Sequence, residues 1–99
     1  MTARAPAVYI LTTRRNTVLY TGVTSSLARR AFDHSTAADP SSFTARYNVH
    51  KLVYYEALEN MTGAIRREKQ IKGWKRKRKV ALIESRNPTW RDLRHEIGT

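Results

Sequence analysis

The chain has 99 residues, with 19 Lys+Arg against 8 Asp+Glu for a net charge of +11, 40% apolar residues and no cysteine. A domain of this size buries only about 60–65% of its extended-chain surface, so one modest core is expected and a second, substrate-binding domain is not. The lack of cysteine excludes a disulfide framework, a zinc ribbon and a thiol nucleophile, and fits a reducing compartment. The best apolar run, Ala7 to Leu11, falls far short of the roughly 20 residues of a membrane span and of a signal-peptide core, so no membrane association and a cytoplasmic location are expected. A field of +11 on so small a body attracts polyanions, of which nucleic acids are the commonest in a cell.

In chain order, residues 1–6 read as a loose tail. Val8 to Thr13 and Val18 to Val23 are β-branched and aromatic, and the polar stretch Arg14-Arg15-Asn16-Thr17 between them predicts an antiparallel hairpin. Alternation puts Tyr9 and Leu11 on one face, with Val18, Tyr20 and Gly22 together on the second strand. Ser25 or Ser26 can cap a helix carrying Leu27, Ala31 and His34 at helical spacing, which Asp39-Pro40 stops. Lys51 to Leu58 predicts a third strand. Asn60 or Thr62 caps a second helix to about Gly73, and a third runs from Lys75 to Ser85. Trp90 and Leu93 then pin the chain end to the core. The order ββαβαα predicts an α/β (α+β) domain over residues 7–95, a three-stranded antiparallel sheet flanked by helices, with a short tail at 96–99.

Glu68 is the most informative residue. Met61, Ala64, Ile65 and Ile71 lie on one side of the second helix, and Glu68 falls inside that stripe. A carboxylate aimed at a core is costly unless it meets a cation, so it either pairs internally with an arginine or serves as a metal ligand or acid. On the preceding helix, Arg30 and His34 flank the apolar side four residues apart; they are a surface arginine and a capping histidine, or a phosphate clamp beside an imidazole that titrates near neutrality. Tyr9 and Tyr20, on adjacent strands, project from one face, where strand tyrosines ordinarily serve packing. Two phenols, an arginine, a histidine and a glutamate on one sheet face are the parts that metal-assisted phosphodiester hydrolysis needs.

Arg66 to Lys79 holds nine basic residues against Glu68, a charge of +8 in 14 residues. A charge run is usually a solvated face, but this density exceeds that reading. Trp74 in its midst either stacks on a base or packs on the core. A basic helix on an anionic membrane is the weakest alternative, because the cations do not oppose a broad apolar face.

These residues resemble a known family. Ala7-Val8-Tyr9 stands where the GIY-YIG endonucleases have Gly-Ile-Tyr, and Tyr20-Thr21-Gly22 where they have Tyr-Ile-Gly. Gly22 to Arg30 is similar to the family's glycine, short loop and Leu-x-x-Arg helix opening, with His34 one turn beyond. Ala64 to Lys72 resembles the helix with the metal-binding glutamate. The stretches 43–48 and 69–74 are similar to the small stand-alone bacterial subgroup, UPF0213, related to the N-terminal domain of excinuclease C. The resemblance implies the GIY-YIG nuclease fold and a metal-dependent DNA endonuclease, structure-selective and linked to DNA repair or recombination. Its implied parts are Glu68 holding one divalent cation, Mg²⁺ or Mn²⁺; Arg30 neutralising charge on the phosphate; Tyr9 as general base helped by His34; and Tyr20 at the nucleophile or phosphate. Asn87 is the candidate for the late asparagine of some members. DNA contacts are expected from Arg46, Tyr47, Arg67, Lys69, Lys72, Lys75 and Arg76, on branched, flapped or single-stranded DNA, with a targeting protein as a further partner. The alternative is a non-catalytic DNA- or RNA-binding module on the same fold.

Overall fold

A computed structural model describes residues 6–27 and 48–97. Three strands, β1 (Ala7–Thr12), β2 (Leu19–Thr24) and β3 (Lys51–Ala57), form an antiparallel sheet in the order β2-β1-β3. Two helices follow, α1 (Met61–Lys72) and α2 (Arg76–Arg86), and then a 3₁₀ turn, Leu93–Glu96. Each strand lies within one residue of its predicted span. The expected Leu27–His34 helix is helical at Leu27, and its remainder lies outside the described residues.

The unbroken apolar run of β1 follows from its place. As the central strand it is buried on both faces, and all six of its residues are buried, the condition under which a strand stops alternating. Ala7, Tyr9 and Leu11 face one layer with Leu27, Val49, Leu52 and Leu93, against which Val18, Tyr20, Tyr55 and Ile97 pack. Val8 and Ile10 face the other, with Val53, Tyr54, Ala64, Ile71 and Ile83, under the two helices. The packing on this side includes Ile97.

Local signals set the element ends. Asn60 caps α1, its side chain accepting from the Gly63 N–H at 2.8 Å. The buried side of α1 is a narrow stripe, Ala64, Glu68 and Ile71, so Ile65, expected within it, falls on the rim and is 40% exposed. The hairpin loop closes on Asn16, which takes the left-handed φ of 61° that asparagine tolerates. Arg76 donates to the Asn16 and Thr17 carbonyls at 2.7 and 3.2 Å, so the start of α2 is strapped to this loop. Trp90 and Leu93 do pin the chain end, one in each layer. No helix among the described residues is long and apolar enough to cross a membrane.

Candidate active site

The hairpin register determines the tyrosine corner. Tyr9 pairs with Gly22 and Leu11 with Tyr20, so Tyr9 and Tyr20 share a face on adjacent strands, their ring centres 6.4 Å apart and tilted by 37°. Tyr9 is 2% exposed and the hydroxyl end of its ring lies against Gly22. A Cβ at position 22 would approach the ring carbon Cε2 to 2.8 Å and the hydroxyl closer still. The glycine is there because the phenol of Tyr9 fills the space of a side chain. Alanine at position 7, by contrast, strains nothing, since the only non-glycine residues with positive φ among those described are Asn16, Asn48 and Trp90.

Glu68 lies on the buried stripe of α1, which packs on β1 and β2. The residue is 9% exposed, and its carboxylate meets the Lys72 ammonium at 2.9 Å. Among the described residues the cation that offsets its burial is a lysine one turn along the same helix. The Glu68 hydrogen bond raises the Lys72 pKa above the ordinary lysine value against the opposing effect of burial, and the nearby Tyr20 phenol adds to the rise. Lys72 thus links Glu68 electrostatically to Tyr20, whose ring neighbours that of Tyr9. Among the described residues no three His, Cys, Asp or Glu side chains cluster as metal ligands. A lone carboxylate still suits Mg²⁺, which keeps several waters and takes its other oxygens from substrate phosphate.

The other expected residues sort clearly. Arg30, His34, Arg46 and Tyr47 lie outside the described residues. Lys69 and Lys75 are exposed. Arg76 is engaged with the hairpin loop, and Arg67 with Glu56 at 2.6 Å and Gln70 at 2.6 Å. Asn87 is a backbone tie: its amide donates to the Val53 and Arg91 carbonyls and its oxygen accepts from the Arg91 N–H.

One cluster has no counterpart in the sequence reading. Tyr54 donates to Glu56, Arg67 donates to the same carboxylate, and the Arg67 and Arg78 guanidinium groups lie 5.2 and 4.1 Å from the Trp74 ring centre. Burial pushes the Glu56 carboxyl up, but hydrogen bonds from Arg67 and Tyr54 outweigh it and hold it below its ordinary value. Burial, then the Glu56 carboxylate, push the Tyr54 phenol up to about 12. The one available signal was Tyr54 and Glu56 at i, i+2, which puts both on one strand face.

Comparisons with known proteins agree with this fold. The model of the GIY-YIG catalytic domain matches residues 5–81. A UPF0213 protein of Syntrophus aciditrophicus is 36% identical over 82% of this chain and 91% of its own length, and one of Clostridium perfringens is 36% identical over 92% and 96%. The solution structure of a UPF0213 protein from Bacillus halodurans superposes with a TM-score of 0.56 at 25% identity, covering 89% of this chain and 92% of that one. The chain belongs to the GIY-YIG catalytic-domain family, a family of nucleases, and within it to the UPF0213 proteins.

Proposed function

We propose that the chain is a divalent-metal-dependent DNA endonuclease that selects DNA by structure, in repair or recombination. What supports this reading is the run of neighbours from the Glu68–Lys72 pair through Tyr20 to Tyr9. Glu68 would hold the cation, which when bound supplies Lewis-acid polarisation of the scissile phosphate. Tyr9 accepts the proton of the attacking water. A phenol with an ordinary pKa near 10 does this poorly at neutral pH unless cations favour the phenolate, which Arg30 and the divalent cation would supply. Gly22 holds the Tyr9 ring in place, and Tyr20 orients the nucleophile or a phosphate oxygen. Arg30 and His34 take the roles of phosphate clamp and proton partner. With Arg67 and Arg76 engaged within the fold, the phosphate contacts fall chiefly to Lys69 and Lys75, with Arg46 and Tyr47.

A non-catalytic nucleic-acid-binding module is the second reading, favoured by one observation: Lys72 already neutralises the carboxylate that would hold the cation. A panel of labelled branched, flapped, single-stranded and duplex DNA, incubated with and without Mg²⁺ or Mn²⁺, decides between them. Cleavage that needs the metal and is absent in Glu68→Ala supports the nuclease. Binding without cleavage of any substrate with either metal supports the module.

A further inference from the structure

The corner between α1 and α2 carries a groove of its own. Gly73, Trp74, Lys75, Lys77, Arg78 and Ala81 line a shallow groove of about 590 Å³, within the roughly 300–1,000 Å³ of ligand sites. Its lining holds an indole, two small residues and three cations, with no acid among them. Trp74 is half-buried against the helix-side core, with the Arg78 guanidinium 4.1 Å from its ring centre. Arg67, on the same ring at 5.2 Å, is held by Glu56. The indole is therefore fixed before anything binds, while Lys75 and Lys77 are exposed and their ammonium groups have no partner among the described residues.

The combination defines its occupant. A solvated basic face needs no aromatic floor, and an apolar ligand gains nothing from three cations. A polyanion with stackable rings matches both, since bases stack on tryptophan and on guanidinium planes while lysines meet the phosphates. A duplex hides the faces of its bases, and an unpaired strand presents them. We propose that this groove docks an unpaired segment of a DNA strand, with a base on the Trp74–Arg78 pair and phosphates on Lys75 and Lys77.

The connection to the candidate active site rests on the nuclease reading above. Lys72, which pairs with Glu68, directly precedes Gly73 at the head of the groove. A strand with a phosphate at Glu68 can continue into the groove only where it is unpaired. This gives the domain itself a way to prefer branched or flapped DNA.

The test is an amide and indole NMR titration of the full chain with oligothymidylate and with a duplex of equal length. The Trp90 indole, bonded to Glu84 at 2.7 Å, is the internal reference. Oligothymidylate is expected to shift the Trp74 indole and the amides of residues 73–81, and the duplex to shift them less. Lys77→Glu, at an exposed position, should keep a folded spectrum, weaken oligothymidylate binding about tenfold and lower the salt slope by about 0.7 for each lost single-strand contact. An unmoved Trp74 at saturation, equal shifts with duplex, or undiminished affinity in Lys77→Glu overturns the proposal, as does tighter occupation of the groove by polyglutamate. Groove shifts in a chain that cuts no DNA would remove the nuclease reading and leave the groove; metal-dependent cleavage with an unmoved Trp74 would do the opposite.

Discussion

Lys72 Nζ lies 2.9 Å from the Glu68 carboxylate, and the pair is lopsided: the lysine side chain is 54% exposed and the glutamate 11%. The lysine can swing into water, whereas the carboxylate cannot leave without unpacking α1. Lys72→Met should therefore leave a mostly buried carboxylate without its cation. The expected loss is about 1–2 kcal/mol, between the values for exposed and fully buried pairs. If Glu68 holds a divalent cation, Mg²⁺ or Mn²⁺ should restore part of that loss, raising the Tm of Lys72→Met but not of the double variant Glu68→Gln/Lys72→Met. Thermal unfolding with and without metal checks both, and a Tm of Lys72→Met indifferent to metal would count against Glu68 as the ligand.

Gly22→Ala tests the close approach at the tyrosine corner. The new methyl collides with the Tyr9 ring, and Tyr9 is too well packed to yield freely. Overpacking of this kind costs about 1–3 kcal/mol. A shift of about 1 Å in a reacting group can cost 10²-fold in rate. The variant should remain folded in urea denaturation yet lose about 100-fold in cleavage, whereas Ala7→Gly should change activity little.

Arg67 and Lys69, two residues apart on α1, should separate fold from binding. Arg67→Ala removes both guanidinium hydrogen bonds to Glu56 and a cover of Trp74. A loss of about 1.5–3 kcal/mol is expected. Lys69→Ala should cost under about 0.5 kcal/mol as a surface change, yet lower the salt slope of duplex binding by about 0.9. Urea melts and salt-dependent binding isotherms on both variants check this.

The pH dependence follows from two opposite shifts in the Tyr54–Glu56 pair. Glu56 is depressed, so the stability it adds is present above its unfolded pKa, about 4.3, and is lost as pH falls through the folded value. Tyr54 is raised to about 12, so its contribution is present below about pH 10 and is lost as pH climbs from there through 12. Glu56→Gln should flatten the acid limb of a stability–pH curve, and Tyr54→Phe the alkaline limb. A tyrosinate absorbance titration should find the Tyr54 phenol delayed in the native protein and not in urea, a difference that Tyr54→Phe removes.

β-branched and aromatic runs bounded by turn residues made β1, β2 and β3 legible in the sequence, and Asn60 and Gly73 bounded α1 as expected. Alternation also placed Tyr9, Leu11, Tyr20 and Gly22 on one face before any coordinates. What escaped was side-chain commitment across elements. Arg67 and Arg76 read as free cations because their partners, Glu56 and the carbonyls of Asn16 and Thr17, are 11, 60 and 59 residues away in the chain. The identity of the Glu68 partner escaped for the opposite reason: an i, i+4 lysine is so ordinary on a helix that it carries little signal. Gly22 was visible as part of a motif, but its cause, the Tyr9 ring lying on it, needed the register.

The most direct test is single-turnover cleavage of a labelled branched DNA by the wild type, Tyr9→Phe and Glu68→Ala prepared identically, with DNA binding measured in parallel. The account predicts metal-dependent cleavage by the wild type and none by either variant, while all three bind DNA within about threefold of one another, as expected for changes that affect chemistry and not uniform binding. Cleavage that survives in both variants, or its absence from all three proteins with every metal, would contradict the tyrosine corner and Glu68 as a nuclease site.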